Sequence, residues 1–319
     1  MAHEEADSLQ QADVRIPAIK SSKPVTMIVM TAISVSQWHP ALRAAFWMAG
    51  ALLSFSAMAV GGRELAAELT TFQILFFRSL IGLSVIGALA LQQGGVNRLQ
   101  TQRLPLHVAR NLAHFGGQYG WFYGLAFIPL AEVFAIEFTV PLWTALLAAA
   151  LLRERLTRVR MMAVALGVMG TLVILRPGVG IVHPAALAVL LAAFGYATAH
   201  TLTKKLVATE APLTILFYMT LIQLPLGLFP ALADWRLPSP GGWPWVIAVG
   251  VSALTAHYCM ARALRLADAS VVVPLDFLRL PLIALVGALF YGETVTWSLA
   301  IGSLLILAGI VINLRAERQ

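Results

Sequence analysis

Ten apolar stretches, each near the length of a bilayer-crossing helix, decide what this chain can become: 43–62, 72–92, 108–127, 130–151, 159–175, 184–203, 212–232, 243–264, 271–291 and 296–314. A spanning helix needs roughly 20 mainly apolar residues. Ten such stretches in 319 residues leave almost nothing for a soluble domain. Hydrophobic residues make up 59% of the chain and charged residues 12%, so lipid has to cover much of its apolar surface. The expected fold is an all-α integral membrane protein of ten transmembrane helices.

The formal charge of +7 could suggest a nucleic-acid partner, but the placement of the 22 Lys and Arg argues otherwise. With the N-terminus in the cytoplasm, 17 of them fall in inside segments, from Arg15 to Arg318 and including Arg110, Lys204 and Lys205. Only Arg63, Arg176 and Arg236 fall outside, and Arg78 and Arg279 lie within helices. The positive-inside rule then places both termini in the cytoplasm. Membrane orientation and contact with anionic lipid account for the basic balance, and no nucleic acid is expected as a partner. The single cysteine, Cys259, permits neither an intrachain disulfide nor a Cys-rich metal site.

Residues 1–40 are polar, and their one apolar run, Val25 to Ser36, is too short to span, so a disordered cytoplasmic tail is expected there. The remainder divides into 41–180, 181–315 and a short cytoplasmic end, 316–319. That division rests on an internal duplication. A shift of 139 lays Glu137-Phe138 on Asp276-Phe277, Tyr119 on Tyr258, Glu154 on Glu293, Thr157 on Thr296 and Gly170 on Gly309. Earlier in each half, a shift of 141 lays Ile74–Ile81 on Ile215–Ile222. Each half holds five helices, and because five is odd the second half enters the membrane from the opposite side. Inverted repeats suit alternating access, in which two similar halves exchange conformations about one central site.

Each half also ends in a helix, a short acidic turn and a Gly-containing helix. The first copy runs from Val140-Pro141 through Leu152-Arg153-Glu154-Arg155-Leu156-Thr157 to Gly167 and Gly170, and the second from Tyr291-Gly292-Glu293-Thr294 to Gly309. Together with Leu175-Arg176-Pro177-Gly178, this resembles the EamA family of the drug/metabolite transporter superfamily over about residues 43 to 314. The resemblance implies two inverted five-helix repeats in a bacterial inner membrane, acting as a secondary transporter. It implies a small metabolite as partner: an amino acid, a nucleoside or S-adenosyl compound, or a vitamin such as riboflavin. The carrier would be proton-linked or facilitative, a monomer or a homodimer, with no cofactor.

Ionisable groups inside a bilayer cost on the order of 3 kcal/mol each, so those that persist usually face the bundle interior or a watery cavity. Glu137 and Asp276 rank first, as repeat equivalents able to take up and release a proton. The competing reading makes them structural partners of Arg78 or Arg279; Asp276 and Arg279, at i and i+3, could neutralise each other. The repeat mate of Arg78 is Met219, and that asymmetry suits a charge that holds an anionic group of the cargo. A structural role for Arg78 beside Glu137 or a helix-end carbonyl is the alternative. On the third helix His114, Gln118 and Trp121 share one face, with Tyr119 beside them, and His257 and Tyr258 are the corresponding residues of the eighth. Such groups could stack a planar ring and bond its edge, or simply pack helices. Tyr196 and His200 offer another cavity face. Glu132, Glu154 and Glu293 lie near helix ends and are read as interfacial. Gly116, Gly120 and Gly124 are read as a packing stripe, and Pro141 and Pro281 as breaks in the helices that carry the paired acids.

No H-E-x-x-H, G-x-S-x-G or helical cluster of metal ligands is present, which disfavours an intramembrane enzyme, and no catalytic or metal-binding residue is expected. A channel would want repeated filter residues. A scaffold without transport activity would have no need of the inverted duplication.

Overall fold

The computed structural model describes residues 40–92, 95, 99–152, 158–176, 183–206, 208–266, 275–276 and 278–316. The tail expected over 1–40 lies outside them save for its last residue, as do Glu154 and most of the 316–319 end. All regular structure among the described residues is helical. The helices are α1 (Pro40–Leu65), α2 (Thr71–Gln92), α3 (Leu104–Phe127), α4 (Leu130–Glu137), α5 (Val140–Leu152) and α6 (Arg158–Leu175). They continue as α7 (Pro184–Leu206), α8 (Pro212–Ala231), α9 (Trp243–Leu266), α10 (Arg279–Tyr291) and α11 (Trp297–Ala316).

Among the described residues, four segments are both long and apolar enough to cross a membrane, Leu42–Leu65, Thr71–Gln92, Pro184–Thr203 and Leu213–Asp234; Met161–Leu175, Arg279–Tyr291 and Trp297–Ile312 are shorter apolar helices. Helix α3 is not among them for a reason visible in its sequence. It buries His107, Arg110, Asn111, His114 and Gln118, polar groups that turn toward other helices instead of lipid.

The stretch 130–151, expected as one helix, is two. After α4 the chain turns at Phe138-Thr139, where the Thr139 N–H and hydroxyl both donate to the Ile136 carbonyl, at 3.0 and 2.7 Å. Pro141 has no N–H to offer the Glu137 carbonyl, so the helical ladder cannot close across that point. The second half repeats the device: Leu275 and Asp276 are helical, Leu278 is in a turn, and α10 opens at Arg279 with Pro281 in its first turn. Both acids singled out by the repeat therefore sit where a helix breaks.

Packing follows the duplication. With α1, α2, α3 and α6 matched to α7, α8, α9 and α11, the pairing of α1 with α9 becomes that of α7 with α3, and both are extensive. The α2–α8 and α6–α11 pairings each map onto themselves, and both are present. Small residues permit these approaches. On α3 the working glycines are Gly117, Gly120 and Gly124, whose Cβ positions would meet Tyr196, Ala188 and Val189; Gly116, expected in the stripe, faces open space. At the α6–α11 crossing, a Cβ on Gly170 would lie 2.5 Å from the Gly302 carbonyl, and one on Gly302 equally close to that of Gly170.

Candidate functional site

Three ionic side chains meet where the two broken helices come together. Arg279, 4% exposed, places Nη2 2.8 Å from Asp276 Oδ2 and Nη1 3.6 Å from Glu137 Oε1. Trp121 on α3 donates from Nε1 to the other oxygen of Glu137 at 2.8 Å. The Arg279 guanidinium is further enclosed by aromatic faces, with the rings of Phe55, Phe138 and Phe134 centred 4.5, 5.1 and 5.3 Å away. A cation taken out of water is tolerated here because both its charge and its flat faces are answered. Two carboxylates share one guanidinium, so the group is one charge negative when both acids are ionised. One proton taken up by either acid would make it neutral.

A second polar region, on α2, α3, α7, α8 and α9, has the opposite character. Arg78 is 6% exposed and Arg110 is 7% exposed. Arg110 donates to Asn111 Oδ1 at 2.7 Å and to Thr203 Oγ1 at 3.2 Å. Asn111 is held in turn by the carbonyls of His107 and Tyr218, and Gln223 Nε2 lies between Asn111 Oδ1 at 3.3 Å and His114 Nδ1 at 3.0 Å. His114 meets the Tyr196 ring edge-on at 5.5 Å and stands within electrostatic reach of Arg78, Arg110, His200 and His257. Tyr196 links the two regions, being within reach of Arg78 on one side and of Glu137 and Arg279 on the other.

The remaining expected residues divide. His257 donates to the Ala253 carbonyl at 2.7 Å and meets Phe55 edge-on at 5.6 Å, which brings it beside the ring that also covers Arg279. Gln118 is buried, and its Oε1 has no partner among the described residues. His200 is exposed on α7, close to Arg110. Tyr119 does not join the polar groups; it packs on Phe72 at 4.6 Å and runs parallel to Tyr123 at 6.2 Å. Tyr258, its repeat mate, is 57% exposed and lies against Trp47 on the α1–α9 face. Adjacent helical residues point about 100° apart, so bringing His257 inward carries Tyr258 outward. The structural alternative for Arg78 also changes: Glu137 is taken by Arg279 and Trp121, not by Arg78.

Glu293, read as interfacial, does more than mark a helix end. The N–H groups of Gly292 and Glu293 turn back to Gly287, with Gly292 at φ 63°, a left-handed conformation that favours glycine. This folds the Glu293 carboxylate over Gly287 and onto the Leu130 N–H at 2.8 Å, while Arg63 approaches it at 3.2 Å and donates to the Ile128 carbonyl. Tyr291 adds a hydrogen bond to Glu64 at 2.7 Å. Arg110, Asn111, Gln223 and Phe55 are further residues of the interior that sequence reasoning missed. Arg110, two residues inside the apolar stretch 108–127, counts as an inside cation from its place at that edge, whereas α3 begins at Leu104 and Arg110 is 7% exposed.

An apolar cavity lined by Leu142, Trp143, Val164, Val168 and Leu172 contains none of these charged groups. Among the described residues, no three His, Cys, Asp or Glu side chains are placed to hold a metal ion.

Known proteins share this plan. The chain is 27% identical over 273 residues to an S-adenosylmethionine uptake transporter of Rickettsia prowazekii, covering 86% of this chain and 92% of the relative. It is 29% identical to a riboflavin transporter of Vibrio cholerae, covering 88% and 96%, and 29% identical to a pseudopaline exporter of Pseudomonas aeruginosa, covering 82% and 93%. A solved crystal structure shares the fold with a TM-score of 0.61 at 21% identity, over 86% of this chain and 98% of that one. The EamA-like transporter family matches twice, over residues 42–176 and 183–315, so the chain is a multi-pass membrane protein that belongs to the EamA-like transporter family.

Proposed function

We propose that this protein is a secondary carrier of a small organic metabolite, working by alternating access about the Glu137–Arg279–Asp276 group. Its ten transmembrane helices form two inverted five-helix repeats, α4 and α5 together making one span, with both termini in the cytoplasm and the chain in a bacterial inner membrane. The exchange of helix pairings between the halves supports the repeat, and the bias of basic residues supports the orientation.

One observation carries the reading. Equivalent helix breaks, one from each half, deliver a carboxylate apiece to a single buried arginine. A change in how the halves sit must then alter the ionic contacts at the centre, and a proton on either acid alters which arrangement is favoured. The relatives are named for three unlike cargoes and for both uptake and export, so they support a metabolite carrier without selecting the compound or its direction.

The test is counterflow in vesicles loaded with a panel of metabolites at two pH gradients. Saturable exchange of one compound is expected, with a rate set by the gradient. Retained gradient-dependent exchange in a well-inserted Glu137→Gln, Asp276→Asn double variant would rule out proton linkage through these acids, and absence of any exchange across the panel would reject the carrier.

A further inference from the structure

The basic region holds a charge that no described residue answers. Arg78 comes from the first half of α2 and is 6% exposed, yet it makes no hydrogen bond or ion pair among the described residues, its buried Nε included. Among the described residues its electrostatic neighbours are Tyr196, Arg110, His114 and His257, none of which supplies a negative charge. The two carboxylates of the acidic group, Glu137 and Asp276, face Arg279. Arg110, the second cation there, is only partly compensated, by the neutral oxygens of Asn111 and Thr203.

Isolated buried cations are costly, and deleting a partner from a buried pair ordinarily destabilises a protein because it leaves a charge in this condition. Among the described residues, Arg78 is already in that condition. The polar neighbours bond elsewhere: Asn111 Oδ1 accepts from Arg110, and Gln223 Nε2 faces Asn111 Oδ1 and His114 Nδ1, while no described group accepts from Arg78. A planar guanidinium offers paired N–H donors that suit a carboxylate or a phosphate. Tyr196, within reach of both Arg78 and the acidic group, places such an anion beside the part of the molecule argued above to alternate.

We propose that Arg78 is the receptor for an anionic group of the cargo, a carboxylate or a phosphate, with Arg110 as its supporting charge. The inference rests on the carrier reading and narrows its substrate class to metabolites with at least one negative group. Bound cargo and protein then complete the charge balance together, and the empty carrier holds an excess of positive charge at Arg78 and Arg110.

The experiment uses full-length protein purified in a neutral detergent, with thermal unfolding as the readout and benzoate, phenyl phosphate and benzamide as probes. Benzoate or phenyl phosphate is expected to stabilise the wild type at concentrations at least tenfold below those at which benzamide does. Arg78→Gln should abolish that preference, and Arg78→Lys should recover part of it. Arg78→Gln should itself unfold no earlier than the wild type, which keeps loss of binding distinct from loss of fold. Equal effects of benzamide and benzoate, or an anion preference that survives Arg78→Gln, would overturn the proposal. So would stabilisation by phosphatidylglycerol that replaces the benzoate effect, because the anion would then be a lipid headgroup. Counterflow of an uncharged metabolite would leave the carrier standing and remove only this inference.

Discussion

Arg279 and Arg78 are almost equally hidden, at 4% and 6% exposed, and live in opposite surroundings. Arg279 has two carboxylates and three aromatic faces; Arg78 has neither carboxylate nor hydrogen bond among the described residues. Depth alone therefore says little about what a membrane-embedded cation does. The difference lies in whether the protein supplies the compensation or leaves it to be brought in.

The largest effect expected from this contrast is in stability. Arg279→Leu strands two half-buried acids and should cost about 3 kcal/mol, seen as a large fall in Tm in detergent. Arg78→Leu should leave Tm unchanged or raise it. Equal losses in the two variants would break the comparison. Replacing all three members of the acidic group, as Glu137→Gln, Asp276→Asn and Arg279→Gln, should recover much of the loss, since no unpaired charge remains.

A smaller effect should come from Trp121→Phe, which keeps the ring and removes the N–H given to Glu137. A hydrogen bond to a charged group contributes about 1.5–3 kcal/mol, and chemical denaturation against wild type would read it. On the basic side, Gln223→Met removes bonds between neutral groups and should cost about 1 kcal/mol, sharpening the contrast between a side built on charge pairs and one built on amides. The least effect is expected at Tyr258→Phe, within about 0.5 kcal/mol and without change in counterflow, because the side chain is exposed on the α1–α9 face.

The apolar stretches and the duplication made the helical plan legible, and the i, i+3 spacing made the Asp276–Arg279 bond legible. The break at Phe138-Thr139 was half visible: Pro141 announced an interruption, but the turn itself depends on Thr139 bonding back to Ile136. Tyr258 misled because alignment identifies equivalent positions without giving the rotation of the helix about its axis. Gly116 misled for the same reason, its neighbour Gly117 being the one against α7. Arg110 was hidden by its place near the edge of an apolar stretch, where a cation ordinarily signals the lipid headgroups. Its burial goes with a bond to Thr203 on α7, which no local pattern in α3 reveals.

The turn at Gly292-Glu293 has a mechanical consequence. One carboxylate there serves the Leu130 amide and Arg63 together, and Arg63 also serves the Ile128 carbonyl. Pulling the end of α10 away from the α3–α4 corner deprives a fully buried amide of its acceptor and a half-buried cation of its counterion in a single step. One carboxylate holds both partners, so whatever displaces Glu293 releases the amide and the cation together, as a single pin withdrawn frees both leaves of a hinge.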